Sequence, residues 1–198
     1  MTTPPTTAPQ RDLREAIMTA AVRLFAEQGF AATSIRQIVE ACSCTNPSLY
    51  YYFPSKEELF RRVVQAQIDH IAGFLRNSTA EAGPIRERMQ HALTAFVDFG
   101  SQHPESFRLL HRLEGNAEDG APKVDMSAAR KLHLDLMVEM VRHGVTNGEI
   151  RPGVDPSCCA LAMAGIVNFQ LQMALCSGEW HPRRIRQTLD LLFDGIAV

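Results

Sequence analysis

The stretch "TNPSLYYYFPSKEEL", Thr45–Leu59, places three consecutive tyrosines between two signals that start helices. Its first residue is a favourable N-cap, and Pro47 fits the first turn of a helix. Pro54 ends that helix. Ser55 then caps another helix, and a glutamate three residues later completes a capping-box pattern. The stretch therefore predicts a short helix that is followed at once by a longer one.

The predicted short helix has an apolar side and a polar side. Leu49 and Phe53 are four residues apart, so they share one face and can pack on the preceding helices. Three adjacent tyrosines spread over about 200° of a helix and cannot all face a core. The outer side and its flanks therefore carry the remaining residues, namely Asn46, Pro47, Ser48, Tyr50, Tyr51 and Tyr52.

Two further helices precede this element. An i, i+3, i+4 apolar stripe starts near Arg11 and ends at Gly29, and "ATSIRQIVEAC" follows with Thr33 or Ser34 as its N-cap. After a brief "CSC" break, the helix capped by Thr45 begins. A helix held by its apolar side behind a short turn fits a helix-turn-helix unit. The second helix of such a unit enters the major groove and presents its first residues to base edges.

Hydroxyls, amides and a lysine in this region suit contacts with phosphate. A tyrosine offers an apolar ring together with a hydroxyl for a phosphate oxygen. Thr33 and Ser34 offer hydroxyls at one helix start, and the amides after Pro54, joined by Lys56, form another phosphate seat. Tyrosines are also common at protein interfaces. These residues alone leave both duplex DNA and a protein partner open.

Helical periodicity continues along the rest of the chain, and no segment alternates as a strand does. Turn signals rich in Gly and Pro separate candidate helices at about 60–80, 84–103, 105–114, 125–143, 156–177 and 182–196. The sequence therefore predicts an all-α chain. It has a flexible tail over 1–10, a three-helix helix-turn-helix domain over 11–62 and a larger helical body over 63–198.

Residues Ile17–Phe60 resemble the N-terminal domain of the tetracycline-repressor (TetR) family. Hydrophobic spacing, glycine turn, helix cap and a Tyr-x-x-Phe-x-x-Lys run coincide in order at Ala20, Leu24, Phe25, Gly29, Phe30, Thr33, Ser34, Ile35, Ile38, Leu49, Tyr50, Phe53, Lys56 and Leu59. The resemblance implies an all-helical homodimeric regulator, usually a repressor. It implies a DNA-binding N-terminal domain and a C-terminal helical bundle that binds a small effector and dimerises.

The resemblance also implies roles for particular residues. Thr33 and Ser34 would contact phosphate. The major groove is lined by Thr45, Asn46, Pro47 and Ser48. Tyr51, Tyr52 and Lys56 would contact the DNA backbone, and Tyr50 sits at a position that is partly packed and partly phosphate-facing. The turn departs from the family pattern, because Ser43 and Cys44 stand where a glycine and a small aliphatic residue are usual.

Two apolar helices near the end of the sequence predict a dimer interface. Pro156–Ser177 is apolar almost all round, so it must be covered on several sides. With the final helix it would form a four-helix interface between two subunits. The predicted interface residues are Leu161, Ile166, Phe169, Leu189, Leu192 and Phe193. A monomer that holds the first of these helices wholly inside is the alternative.

The resemblance places an effector pocket among the central helices of the body. Bulky apolar side chains and two histidines are its candidates, namely Phe74, Phe96, Phe99, His103, Phe107, His111, Met137, Met140, Phe169 and Met173. Aromatic and methionine residues in such a pattern also suit an ordinary core. We expect an apolar effector with one polar end.

Composition narrows the remaining classes of function. The net charge of −2 gives no global basic field, and the first ten residues do not read as a secretory signal. Five cysteines fit reduced thiols in a cytoplasmic protein, and Cys42 and Cys44 lack partners at zinc-site spacing. No Gly-rich phosphate loop, HExxH or nucleophile elbow is found. We therefore expect no enzyme activity, cofactor, metal or membrane span. A helical interaction module that no longer binds DNA is the alternative.

Overall fold

The computed structural model describes residues 8–78, 83–115, 120–179 and 181–196. Within these ranges the chain is all-α, which confirms the predicted fold class. The helices are α1 Ala8–Ala32, α2 Ile35–Ala41, α3 Asn46–Tyr52, α4 Lys56–Ser78, α5 Ile85–Gln102, α6 Pro104–Gly115, α7 Ser127–Thr146, α8 Pro156–Ser177 and α9 Pro182–Ile196. The chain divides into two compact units, the first comprising Met1–Gln67 with Glu105–Val124 and the second Ile68–Pro104 with Asp125–Val198.

An aromatic cluster forms the core of the first unit. The rings of Phe25 and Phe30 each meet the ring of Phe60 with centroids 5.0 Å apart, in the edge-to-face arrangement that aromatic pairs favour. Leu49 and Phe53 are 0% and 1% exposed. Burying one such side chain stabilises the fold by roughly 1.5–3 kcal/mol. Helix α3 is therefore held by its apolar side, as predicted.

Gly29 breaks the helical path of α1. Its φ of 84° lies in the left-handed region, which glycine adopts without a Cβ clash. Just beyond it, the hydroxyl of Thr33 donates to the carbonyl oxygens of Gly29 at 2.6 Å and Leu24 at 3.2 Å. The regular part of α1 therefore ends at the glycine that the sequence indicated.

Side-chain caps fix the starts of the short helices. Ser34 accepts the backbone N–H of Gln37, whose side chain accepts the Ser34 N–H at 2.7 Å in a capping box. The Thr45 hydroxyl accepts the backbone N–H three residues further on at 3.3 Å. Ser55 likewise accepts the N–H of Glu58 at 3.1 Å. These caps start α2, α3 and α4 where the sequence predicts them.

Helix α5 packs against α7, α8 and α9 in the second unit. Its Arg86 guanidinium lies 3.0 Å from the carboxylate of Asp190 and 2.8 Å from that of Asp194 on α9. The same guanidinium sits 5.7 Å from the ring centroid of Phe193. Partly exposed ion pairs contribute little stability. The buried apolar contacts of Phe193 therefore hold α9 on α5, and the ion pairs orient it.

Gly144 allows α7 to approach two buried side chains closely. A Cβ at this position would lie 2.8 Å from Cδ1 of Ile150 and 3.1 Å from Cγ1 of Ile85. The Gly144 carbonyl accepts the N–H groups of Glu149 at 2.9 Å and Ile150 at 3.1 Å. The Glu149 carboxylate in turn accepts the N–H of Ile85 at 2.6 Å. This site ties the end of α7 to the start of α5.

Helix α8 begins and ends at the residues predicted for it, Pro156 and Ser177. Asp155 caps it by accepting the N–H of Ser157 at 2.8 Å, and such backbone bonds hold the pKa of Asp155 below its ordinary value. By length and composition α8 could cross a membrane, with a mean hydropathy of 1.6 over a window that is 39% buried. Its buried side packs on α7, so we assign it to the core of the second unit.

The tail and the domain boundary differ from the prediction. Helix α1 begins at Ala8, so the predicted tail over 1–10 is too long, and its residues 1–7 lie outside the described part. Nearly all of α6 belongs to the first unit, although the sequence assigned everything after residue 62 to the body. The Ser106 hydroxyl donates to the Gln67 side chain at 2.7 Å. This contact joins α6 to the portion of α4 in that unit.

Candidate nucleic-acid interface

Helix α3 presents its outer side to solvent. Tyr51 is 74% exposed and Tyr50 is 47% exposed. Asn46 and Pro47 are exposed as well, and the half-buried Tyr52 meets the Tyr51 ring edge-on at 5.0 Å. The major groove admits a helix, and its base edges offer hydrogen-bond donors and acceptors together with thymine methyl groups. The exposed side of α3 has matching chemistry.

Polar groups gather at the N-terminal end of α3. The hydroxyl oxygens of Thr45 and Ser48 are 2.9 Å apart and share a hydrogen bond. Each hydroxyl oxygen has two lone pairs and one proton, so both can make a further bond. Asn46 exposes an amide, the group that pairs with an adenine edge. The structure thus brings together the predicted groove residues Thr45, Asn46, Pro47 and Ser48.

The structure contradicts the phosphate role predicted for Thr33. This residue is 1% exposed, and its hydroxyl donates to two carbonyl oxygens of α1, so it fastens the turn after Gly29. The Lys56 ammonium lies 4.2 Å from the ring centroid of Phe30, a cation–π contact that fixes its position. Ser34 is exposed at the start of α2, consistent with its predicted role.

Arginines that the sequence analysis did not single out border the C-terminal end of α3. A surface depression of about 660 Å³ is lined by Arg14, Tyr52, Phe53, Pro54, Ser55, Glu58, Arg61 and Arg62. The Arg14 guanidinium carbon lies 5.6 Å from the Phe53 ring centroid. It therefore adds a cation beside the predicted phosphate seat at the start of α4. No local pattern signals this contact, because Phe53 is distant from Arg14 in the sequence.

The turn between α2 and α3 closes despite its departures from the family pattern. Ser43 has a φ of 52°, in the left-handed region that glycine adopts more easily. The Cys44 N–H donates to the Val39 carbonyl at 2.9 Å. Cys44 is half-buried and fills the position of a small apolar residue. The Sγ atoms of Cys42 and Cys44 are 3.2 Å apart.

A small apolar cavity lies inside the second unit. Its volume is about 20 Å³, and it is lined by Leu75, Met89, Ala92, Leu93, Phe96, His133, Leu136, Met137 and Met140. Burial lowers the pKa of the His133 imidazole, because the charged form loses hydration. The ring is therefore neutral at pH 7. The lining combines apolar walls with a neutral hydrogen-bonding group.

Six of the predicted effector residues lie in or beside this cavity. Three of them line it, namely Phe96, Met137 and Met140. The centroid of the Phe99 ring lies 4.5 Å from the centroid of the Phe74 ring and 4.5 Å from that of the His103 ring. The Phe74 ring also lies 6.5 Å from the Phe96 ring. The rings of Phe74, Phe99 and His103 therefore form a second layer behind Phe96.

The other four predicted effector residues do not line the cavity. Phe107 and His111 lie on α6 and belong to the first unit. Phe169 and Met173 are 65% and 54% exposed on α8, where they line a groove of about 610 Å³ shared with α9. Apolar bulk on a central helix does not reveal which face is buried, so the sequence alone does not separate these four residues from the other six.

One side of α8 exposes an apolar face. Leu161, Phe169 and Met173 are 58%, 65% and 54% exposed, and helical spacing places Gly165 between them. Leu191 of α9, 75% exposed, borders the same groove. The opposite side of α8 is buried through Cys159, Ala160, Met163, Ala164, Val167, Leu171 and Ala174. A contiguous exposed apolar patch marks an interaction site.

The predicted interface is wrong for Leu189 and Phe193. These side chains are 0% and 1% exposed because their own chain covers them. Ile166 and Leu192 are half-buried and border the exposed face. An amphipathic stripe on the last helix is therefore turned toward the core of the second unit rather than toward a partner.

No group of three or more His, Cys, Asp or Glu side chains is placed to hold a metal within the described ranges. The cysteines Cys42, Cys44, Cys158, Cys159 and Cys176 are free thiols. The candidate sites in these ranges are thus the outer side of α3, the apolar cavity and the exposed face of α8.

Comparison with known proteins identifies the family. Residues 17–63, which contain the helix-turn-helix unit described above, match the bacterial regulatory proteins of the tetR family. This segment belongs to the TetR family. This match confirms the resemblance drawn from the sequence, and it covers the caps, the turn and the exposed side of α3.

Relatives that align beyond this segment agree with this assignment. The transcriptional activator FasR of Mycolicibacterium smegmatis is 28% identical over 52% of this chain and 47% of its own length. The transcriptional repressor KstR2 of the same organism is 24% identical over 77% of this chain and 74% of its own. The tetR regulator tylp of Streptomyces fradiae shares the fold, with a TM-score of 0.69 at 21% identity over 96% of this chain and 89% of its own. The protein is a DNA-binding transcriptional regulator.

Proposed function

We propose that this TetR-family regulator is a repressor that binds a palindromic operator as a homodimer and is released by a small effector. The exposed side of α3 carries the proposal. Asn46, Pro47 and Tyr51 face solvent while Leu49 is fully buried behind them. Direct reading of bases requires that the first residues of the recognition helix are free of the protein's own core.

The proposed roles follow the positions of the side chains on α3 and its neighbours. Base edges are read by Thr45, Asn46, Pro47 and Ser48. Phosphates are contacted by Ser34, Tyr50, Tyr51, Tyr52, Lys56 and Arg14. Phosphate contacts set the register on the duplex, and base contacts supply the sequence preference. Thr33 takes no part, because its hydroxyl is buried.

The exposed face of α8 supports a homodimer. Members of this family dimerise, and a twofold interface covers the same patch on both subunits. Leu161, Phe169 and Met173 would therefore be buried by a second copy, with Ile166 and Leu192 at the edge of the contact. Two recognition helices related by a twofold axis read half-sites one helical turn, about 34 Å, apart. We therefore expect the operator to be palindromic.

The cavity of the second unit supports a mainly apolar effector with one hydrogen-bonding group. Its volume of about 20 Å³ has room for about one water molecule. Ligand sites usually have about 300–1,000 Å³, so binding requires the cavity to grow. Methionine adapts its shape readily, and Met89, Met137 and Met140 provide such side chains. His133 is positioned to bond the polar group of the effector.

Growth of the cavity gives a route to release from DNA. An effector that binds only the expanded form shifts the population toward it, and its preference for that form sets the loss of operator affinity. Helix α4 contributes Leu75 to the cavity and Lys56 to the first unit. The rearrangement would thus act on a helix that also carries a proposed phosphate contact.

Two substitutions on α3 test the DNA-binding assignment. Asn46→Ala should relax specificity at one base position and cost about 1–3 kcal/mol on the operator. Tyr51→Ala should weaken all duplexes evenly, because a phosphate contact carries no sequence information. Both residues are exposed, so the melting temperature should not change. Operators selected from random sequence by the wild-type protein supply the duplexes for fluorescence anisotropy.

The matched control is Arg130→Ala, which removes an exposed cation of α7. It should change operator affinity by less than about threefold, since Arg130 is not among the proposed DNA contacts and an exposed charge is screened by salt. Wild-type binding by both α3 variants would show that DNA is read elsewhere. Equal losses in the control would point to general electrostatics instead.

The direction of regulation is tested separately. FasR is an activator and KstR2 a repressor, so family membership permits either sign. We favour repression because KstR2 aligns over a larger share of this chain. A promoter–reporter fusion carrying the operator should become more active when the gene is deleted. We expect the regulator in the cytoplasm, where duplex DNA is accessible. No observation favours an interaction module without DNA binding.

A further inference from the structure

Two thiols meet inside the turn of the DNA-reading unit. The Sγ atoms of Cys42 and Cys44 are 3.2 Å apart, with the Cys42 thiol directed at the Cys44 sulfur. Both side chains are half-buried rather than sealed in the core. The other cysteines, Cys158, Cys159 and Cys176, all belong to the second unit. The turn therefore contains an isolated dithiol.

The backbone of the turn holds the two sulfurs together. Cys42 donates its N–H to the Ile38 carbonyl at 3.1 Å, and Cys44 donates to the Val39 carbonyl at 2.9 Å. The intervening Ser43 has a φ of 52°, so the chain reverses between the two cysteines instead of extending. A disulfide has its sulfurs about 2.05 Å apart. Closing the present gap requires an approach of about 1.2 Å.

We propose that Cys42 and Cys44 form a reversible dithiol–disulfide switch that hydroperoxides oxidise and that weakens DNA binding when oxidised. The Cys42 thiol loses its proton, the thiolate attacks one oxygen of hydrogen peroxide, the O–O bond breaks, and the released hydroxide takes up the proton, so that a sulfenic acid and one water result. The Cys44 sulfur then attacks the Cys42 sulfur, the S–O bond breaks, and a second water leaves with the Cys44 proton. Two thiols lose two electrons, and the peroxide is reduced to two waters.

The environment assigns the order of the two sulfurs. Burial, followed by the hydrogen bond with Cys42 and by its charge, raises the pKa of the Cys44 thiol to about 11. Cys44 therefore keeps its proton at neutral pH and is a weak first nucleophile. It serves as the resolving thiol, which needs proximity to the sulfenic acid. Zinc is a poor alternative occupant, because a structural site needs four ligands and the described residues offer no cluster of three.

Oxidation acts directly on the recognition helix. Cys44 immediately precedes Thr45, the N-cap of α3, so a movement of about 1 Å in the turn reaches the groove-facing residues without an intermediary. Loss of one or two well-fitted base contacts lowers affinity about 10- to 100-fold. This inference rests on the DNA-binding role of α3. Its chemistry can be measured without DNA.

The experiment uses the full chain with Cys158→Ser and Cys176→Ser, which removes the exposed thiols of the second unit. Hydrogen peroxide is added, and accessible thiols are counted with a chromogenic disulfide reagent. Mass spectrometry follows the peptide that contains the turn. Affinity is measured by anisotropy on the operator selected by the reduced protein and on a random duplex. Cys42→Ser and Cys44→Ser are made singly in the same background as matched controls.

The expected result is a loss of two hydrogens in the turn peptide with about 10- to 100-fold weaker operator binding. Dithiothreitol should reverse both changes, and neither single-serine variant should form the disulfide. Reversal on the unsubstituted pair keeps the test valid if a serine variant does not fold. A disulfide that leaves affinity unchanged overturns the switch. Absence of the disulfide at peroxide levels that oxidise free cysteine overturns the chemistry, and failure of the reduced protein to bind any duplex overturns the DNA-binding assignment instead.

Discussion

Replacing Phe169 by alanine should dissociate the proposed homodimer. This side chain is 65% exposed in the single chain. A buried phenylalanine covers about 200 Å², so about 130 Å² remains for a partner to cover. Alanine would retain about 40 Å² of this, and the loss at 25 cal/mol per Å² is about 2 kcal/mol. A twofold interface repeats the loss, which gives about 4–5 kcal/mol and a dimer Kd about 10³-fold weaker.

Sedimentation velocity over a dilution series measures the dimer Kd, and operator binding at fixed protein concentration reports the consequence. Because Phe169 is exposed, its substitution should leave the helical content of the chain unchanged. Tyr51→Ala is the matched control, since it removes another exposed aromatic ring. That variant should remain dimeric while losing DNA affinity. A Phe169→Ala protein whose dimer Kd stays within threefold of wild type would place the interface elsewhere.

Three further substitutions probe the second unit. Gly144→Ala should lower the free energy of unfolding by roughly 1–2 kcal/mol in chemical denaturation, because overpacking against Ile150 exceeds the helix-propensity gain of about 1 kcal/mol. Gly73→Ala meets nothing within 4 Å and should be neutral or slightly stabilising. His133→Gln should remove a pH dependence of unfolding. Burial lowers the folded-state pKa of His133, so the unfolded chain takes up a proton more readily than the folded chain. The free energy of unfolding should therefore be highest above pH 6.5 and should fall as the pH drops below that value. Identical pH profiles for the wild type and His133→Gln would refute this.

Helix boundaries were predictable because local chemistry sets them. Asp155 and Pro156 start α8, and Gly178 ends it in a left-handed conformation, as N-cap and C-cap rules require. The same holds for the Thr45 cap of α3. These signals lie within a few residues of the boundary they determine. No tertiary information is needed to find them.

Roles that depend on tertiary contacts were not predictable in the same way. Thr33 is a sound N-cap candidate by type, yet the kink at Gly29 turns its hydroxyl into the core. Phe169 and Phe193 are both apolar residues on the final helices, and only packing shows that one is 65% and the other 1% exposed. The sequence identifies an apolar surface, but not whether its own chain covers it.

Part of the positive charge on the first unit is committed to internal pairs. Arg36 lies 2.8 Å from Glu40, and Arg62 lies 2.8 Å from Glu58. Helix pairs of this spacing reduce the net positive field without contributing much stability. We therefore expect the duplex to be held mainly by neutral hydroxyls and amides rather than by a basic patch. A surface of neutral donors can be recognised by the salt dependence of operator binding.

The salt dependence of operator binding should be shallow for a dimeric repressor. Each phosphate neutralised by a cation contributes about −0.9 to the slope of log K against log salt, whereas a tyrosine hydroxyl contributes almost nothing. Arg14 and Lys56 are the cations placed beside the proposed phosphate seat, so two subunits give a slope of about −4. Anisotropy titrations between low and physiological salt measure it. A slope near −10 would mean that many more cations reach the phosphates, and the neutral-donor account of α3 would then be wrong even if the operator is bound tightly.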